Sequence, residues 1–176
     1  MSQDPAGETV AVTRLSRRAK PAPATRARKL PHIQRAGKPL FVTFVTQKRW
    51  ILPESVRQIV LDHCLHDHLA QYEMHAAVIM PDHVHLLFTP LEDDDTNTFG
   101  LSQITNSIKG ASAHAVNRAL GRKGPVWQQE WFDRILRSDE SVRNTADYIC
   151  ANPIRTGLAV DEDTYPWLWR SWSIPA

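Results

Sequence analysis

Two histidines one residue apart, His83 and His85, are the sharpest chemical feature of the sequence. In an extended segment alternate side chains share a face, so both imidazoles point the same way. That placement suits two ligands of one metal ion, imidazole being the commonest metal-binding side chain. It suits equally a pair of half-exposed histidines on the polar face of an edge strand. Far along the chain, Tyr148 and Asn152 stand four residues apart, which makes them neighbours on one side of a helix. The apolar stripe of that helix, through Val142, Ala146, Ile149 and Cys150, lies on another side, so it can bury one face and still present a phenol with an amide. A phenol can act as a nucleophile and an amide oxygen as a metal ligand. The blander alternative is a surface tyrosine beside an asparagine that caps the helix before Pro153. Neither Tyr72 nor Tyr165 has such a companion. His63, His66 and His68 do not form a site, because helical pitch turns His68 by about 140° and 160° from the other two. His75 reads as a cross-strand partner, or as a neighbour of the metal site. No glycine-rich phosphate loop or Ser-His-Asp spacing occurs.

The elements that must position these residues begin at Pro39. Leu40 to Thr46 is β-branched and aromatic and reads as a strand. Glu54 to about Ala70 reads as a helix, Tyr72 to Ile79 as a second strand, and Met80-Pro81-Asp82 as a turn. His83 to Thr89 is a third strand, and Leu101 to Leu120 has helical period with Gly121 suited to its C-terminus. Val126 to Arg137 reads as extended or mixed. A last helix is expected from about Asp139 to Ala151, with Ser138 as N-cap and Pro153 as its stop. The aromatic segment Thr164 to Trp172 is expected to pack back on the sheet. The order β-α-β-β-α-(β)-α predicts an α+β fold, a ferredoxin-like (RRM-like) antiparallel sheet with helices on one face.

A chain of 176 residues, 42% hydrophobic and 23% charged, suits one globular domain plus a tail. Residues 1–38 carry nine Lys and Arg against Asp4 and Glu8, a net of +7, whereas residues 39–176 hold 12 basic and 17 acidic side chains, a net of −5. The tail has almost no large apolar residue and contains Pro21-Ala22-Pro23-Ala24, so it is expected to be disordered. It is either a phosphate-neutralising arm or a solvated extension. No apolar run is long enough to span a bilayer and no secretory signal is evident. Two cysteines, Cys64 and Cys150, cannot make a disulfide framework, so a reducing, cytoplasmic setting is expected.

Met80-Pro81-Asp82-His83-Val84-His85-Leu86-Leu87, joined to Tyr148-Ile149-Cys150-Ala151-Asn152-Pro153-Ile154-Arg155-Thr156-Gly157-Leu158, resembles the single-tyrosine transposases of the HUH superfamily, in particular the REP-associated tyrosine transposases. Val126-Trp127-Gln128, Phe132-Asp133-Arg134 and Tyr165-Pro166-Trp167 add to the likeness. It runs from about Leu40 to Trp172 and leaves out the basic tail. Val84 conforms to the bulky apolar residue usual between the histidines, and Asp82 is a mild variation on Asn or Glu.

The resemblance implies an HUH endonuclease fold and an enzyme that nicks single-stranded DNA near a hairpin of repetitive extragenic palindrome type. It implies His83, His85 and Asn152 as metal ligands and Tyr148 as the nucleophile that forms a 5′-phosphotyrosine. Some relatives place Gln at the position of Asn152, so an amide oxygen is the shared donor. Two imidazoles and an oxygen suit Mg²⁺ or Mn²⁺ as a Lewis acid better than a closed structural zinc site. The resemblance also implies a monomer rather than a dimer, and a bacterial, nucleoid-associated protein. Lys109, Arg134, Arg137 and Arg155 flank these positions in sequence and could hold phosphates. Trp127, Trp131, Trp167, Trp169 and Trp172 either stack on bases or fill the core. The group that accepts the tyrosine proton is not legible. The alternatives are a domesticated, non-catalytic single-stranded nucleic-acid-binding protein and a zinc hydrolase.

Overall fold

Leu40, Val42, Phe44 and Thr46 alternate in burial with Phe41, Thr43 and Val45, so the first strand, β1 (Leu40–Thr46), turns one row of side chains into a core and the other to the opposite face. The computed structural model describes residues 37–173; the basic tail falls outside them except for its last two residues. After β1 the chain forms a 3₁₀ turn at Gln47–Arg49, α1 (Glu54–Leu65), β2 (Tyr72–Ile79), β3 (His83–Pro90), α2 (Leu101–Ala119), β4 (Trp127–Ile135), α3 (Val142–Cys150), the short α4 (Asn152–Arg155) and β5 (Leu168–Arg170). The strands form one antiparallel sheet in the order β4-β1-β3-β2-β5. The first four strands thus have the ferredoxin-like order, with β1 and β3 central, and the aromatic C-terminal segment adds β5 beside β2.

The expectation of helices on one face holds for α1 and α2, whose Val56, Val60, Ile104 and Ile108 pack with Val42, Phe44, Leu86 and Phe88 in the larger core. The third helix crosses to the other face. Its Ala146, Ile149 and Cys150 join Ala76, Val78, Leu87 and Tyr165 in a second apolar cluster. The sheet is therefore covered on one face by α1 and α2 and, over β2 and β3, on the other by α3. Cys64 belongs to the first cluster and Cys150 to the second, and both thiols are reduced and buried.

The segment read as extended or mixed is the strand β4. Two boundaries differ from the sequence expectation. Helix α1 stops at Leu65 rather than near Ala70, because His68 Nδ1 accepts the Met74 N–H at 3.0 Å and Leu69 takes a positive φ of 65°, which no right-handed helix tolerates. Leu69 itself is exposed. Helix α3 begins at Val142 with Ser141, not Ser138, as N-cap, its hydroxyl accepting the Asn144 N–H at 3.3 Å. The displacement has a cause just outside the helix. Glu140 accepts from Arg134 Nη1 at 2.6 Å and from the Arg137 N–H at 2.8 Å, which holds residues 137–140 in a turn.

Of the tryptophans weighed for stacking, Trp127 is buried, Trp131, Trp167 and Trp169 pack against the core, and Trp172 is exposed. Trp127 lies edge-on to Phe44 with 4.8 Å between ring centroids and donates its indole N–H to Ser112 Oγ at 3.0 Å. Most of the indoles serve packing, as large apolar side chains generally do.

Candidate active site

The register of the two central strands sets the first half of the site. Thr43 lies opposite His85 and Val45 opposite His83, so both imidazoles stand on the face away from α1 and α2, while Val84 and Leu86 point into the larger core. Nε2 of His83 lies 3.2 Å from Nε2 of His85. The other nitrogen of each ring is engaged: His83 donates Nδ1–H to Asp82 Oδ1 at 2.6 Å, and His85 Nδ1 meets Thr43 Oγ1 at 2.8 Å. Two facing sp² nitrogens are reconciled by a shared proton or a shared cation. A carboxylate and a hydroxyl behind the far ring nitrogens are what orient metal-bound histidines in general.

Asp82 is itself fixed. Its backbone carbonyl accepts from Thr46 N–H and Thr46 Oγ1, and its Oδ2 accepts from Arg49 Nη1 at 3.0 Å. Burial alone would raise the Asp82 carboxyl, but the hydrogen bonds from His83 and Arg49 outweigh it and hold the group below the ordinary carboxylate range. His85 is held down to about 3 by burial first, then by the neighbouring His83 and by the charge of Arg155. It is therefore a neutral imidazole, the form that ligates metal. Among the described residues no cluster of three or more His, Cys, Asp or Glu side chains could hold a metal ion. Two imidazoles joined by an oxygen donor would suit a hard divalent cation such as Mg²⁺ or Mn²⁺.

Helix α3 carries the second half. By burying Ala146, Ile149 and Cys150 against Ala76, Val78 and Leu87, it settles on the same face as the histidines; Leu87 is the next residue of β3 on that face after His85. The helix turns Tyr148 outward, 57% exposed. The guanidinium of Arg155 covers the Tyr148 ring, its central carbon 4.1 Å from the centroid. Asn152 donates Nδ2 to the carbonyls of Tyr148 at 3.2 Å and Ile149 at 3.0 Å, as expected of a helix cap. These bonds orient the amide so that Oδ1 points away from the helix, where it accepts from Arg155 Nη2 at 2.9 Å. Tyr148, Asn152 and Arg155 thus form one cluster and His83 with His85 another, both on one face of the sheet. Beside the tyrosine opens a cleft of about 400 Å³ lined by Arg134, Glu140, Asn144, Thr145 and Tyr148 among others.

The four basic residues considered for phosphate contacts have different fates. Arg155 lies at the tyrosine. Arg134 edges the cleft with its charge engaged by Glu140, and Arg137 is exposed. Lys109 is buried on the α2 side, its Nζ donating to the Gln129 carbonyl at 2.8 Å and standing 4.8 Å from the Trp131 ring centroid. Burial lowers its amine to about 8. In this arrangement Lys109 joins α2 to β4 and turns its charge away from the histidine face. His75 is a cross-strand partner, its Nε2 2.8 Å from Thr89 Oγ1. His66 pairs with Asp67 and His68 with the Met74 N–H, so the first-helix histidines do not converge. Sequence reasoning missed Thr43 and the orienting role of Asp82. Asp82 sits inside the histidine motif and offered a signal, whereas Thr43 becomes visible only through strand register. Phe132, one of the residues that carry the resemblance, is 53% exposed and edge-on to Phe41, which in turn lies 5.5 Å from the His85 ring.

Comparison with known proteins identifies the family and the fold. A model of the family described as "Transposase IS200 like" matches residues 40–152, from the first residue of β1 to Asn152. A Haemophilus influenzae protein assigned to the REP-associated tyrosine transposases is 30% identical over 101 residues, covering 54% of this chain and 57% of that protein. The REP-associated tyrosine transposase of Escherichia coli is 30% identical over 95 residues, covering 54% of this chain and 52% of that protein. The chain thus spans about half the length of these curated relatives. The structure of a REP-associated tyrosine transposase bound to a REP hairpin superposes with a TM-score of 0.59 at 23% identity, covering 79% of this chain and 82% of that one, which establishes the shared fold.

Proposed function

The chain belongs to the IS200-like transposase family, and from that premise we propose that it is a single-strand-specific DNA endonuclease and strand transferase acting beside hairpins of the repetitive extragenic palindrome type. The observation that carries the reading is the histidine pair: two Nε2 atoms 3.2 Å apart, each ring braced from behind, on the face that also receives the tyrosine-bearing helix. His83, His85 and the Oδ1 of Asn152 would hold a Mg²⁺ or Mn²⁺ ion. Bound there, the ion supplies Lewis-acid stabilisation of charge on the scissile phosphate.

The chain's own groups do the rest. Tyr148 Oη attacks phosphorus in line; the bond to the 3′ oxygen breaks, that oxygen leaves as a 3′-OH after gaining a proton, and a 5′-phosphotyrosine remains. The ester conserves the energy of the broken bond, so another 3′-OH can attack it, rejoin DNA and release the phenol. The exposure of Tyr148 leaves room for a strand to approach. Arg155, beside the phenol, supplies positive charge for the strand's phosphates. The single-stranded hairpin substrate is inferred from the related enzyme whose structure holds a REP hairpin.

Incubation with hairpin-bearing single strands and Mn²⁺, followed by denaturing electrophoresis, tests the reading. The wild type is expected to give a covalent protein–DNA adduct that disappears in Tyr148→Phe, which retains the fold because the residue is exposed. Tight binding with no adduct under any metal condition would favour the non-catalytic binder instead.

A further inference from the structure

Arg155 is placed where two parts of the proposed site meet. Its Nη2 donates to Asn152 Oδ1 at 2.9 Å, while its guanidinium plane lies over Tyr148 at 4.1 Å. Asn152 Oδ1 is the atom that would complete a metal site with His83 and His85, since its Nδ2 is committed to the carbonyls of Tyr148 and Ile149. A full positive charge therefore sits at hydrogen-bond distance from the oxygen a cation would need.

We propose that Arg155 is a positioning residue that latches the site: it holds the Asn152 oxygen and the Tyr148 ring together in the metal-free chain and must yield that oxygen when a divalent cation binds. The inference rests on the metal-dependent reading above and adds to it a built-in competition. A carbonyl oxygen can serve two partners, but a guanidinium and a divalent cation on the same atom repel each other across a few ångström. Cation arrival and release of the guanidinium become one event, and the freed guanidinium stays beside the nucleophile, available to a strand phosphate. The Tyr148 ring is thus tied to Asn152 through Arg155 when no metal is present, and that tie is released as the metal donor set becomes complete.

Direct binding of Mn²⁺ to the full chain without DNA, followed by electron paramagnetic resonance and by calorimetry, tests the latch without recourse to activity. If it operates, Arg155→Ala binds Mn²⁺ more tightly than wild type, by roughly threefold to tenfold at moderate ionic strength. Arg155→Lys, which keeps the charge, stays within about twofold of wild type, and His85→Ala loses the ion. Mn²⁺ affinity that is equal or weaker in Arg155→Ala, with wild-type binding that still depends on His85, would overturn the latch while leaving the metal site standing. No Mn²⁺ uptake by either wild type or Arg155→Ala would overturn the metal reading and the latch with it. Thermal melts of the two arginine variants check that the folded chain is being compared.

Discussion

At the scale of single residues, the pair His83 and His85 is legible in the sequence as two side chains on one face, but their poise comes from neighbours distant in the chain. Thr43 meets His85 only because β1 and β3 pair in one register, and Asp82 is aimed by Arg49 and Thr46, more than 30 residues away. Burial of His85 has a measurable consequence. The folded chain keeps this imidazole neutral down to about pH 3, whereas an exposed histidine titrates near 6.5. As pH falls below about 6.5 the unfolded chain takes up the proton first, so stability declines through the interval from about 6.5 to about 3. His75, also lowered by burial, acts with the same sign. The metal-free wild type is expected to lose more of its thermal midpoint between pH 7 and pH 5 than His85→Gln does. Equal losses in the two proteins would show that His85 carries none of the acid sensitivity.

At the scale of elements, periodicity reveals that α3 exists and which stripe it buries, since Ala146, Ile149 and Cys150 all lie in the interior. It does not reveal which face of the sheet receives that stripe, and that choice brings Tyr148 to the histidine side. The helix start was equally illegible: Ser138 and Ser141 are both competent caps, and the bond from Arg134 on β4 to Glu140 selects the second. Likewise Lys109 reads as a candidate phosphate contact, whereas the carbonyl of Gln129 and the ring of Trp131 draw it inside. The docking of α3 can be weakened without touching any proposed catalytic group. Ile149 is fully buried, and Ile149→Ala is expected to cost about 2–5 kcal/mol, as truncation of a packed aliphatic side chain does. Denaturant unfolding should show that loss. Adduct formation per folded molecule should also fall, because the helix that aims Tyr148 no longer seats firmly; unchanged adduct yield would mean that the seat of α3 does not set the tyrosine's position.

At the scale of the whole molecule, one sheet separates two tasks. The larger cluster between the sheet and α1 with α2 supplies the bulk of the core, while the opposite face holds the histidine pair and, under α3, a smaller cluster. The ferredoxin-like order was readable from the succession of elements, whereas the fifth strand was readable only as an aromatic segment returning to the sheet. Among the described residues no helix is long and apolar enough to cross a membrane. Because Tyr148 and the histidines lie on one face of one chain, a monomer that works in cis is expected. Mixing Tyr148→Phe with His85→Ala is then expected to restore no adduct, whereas recovery of activity in the mixture would reveal a tyrosine donated between two copies. The central claim is that the histidine pair and the amide oxygen of Asn152 share one cation beside the phenol. Anomalous diffraction from a crystal of Tyr148→Phe grown with Mn²⁺ and a hairpin-bearing strand tests it most directly. A single strong manganese peak is expected within bonding distance of both histidine Nε2 atoms and of Asn152 Oδ1; a peak bound elsewhere, or one held by the histidines with the α3 turn and its amide directed away, would refute the shared site.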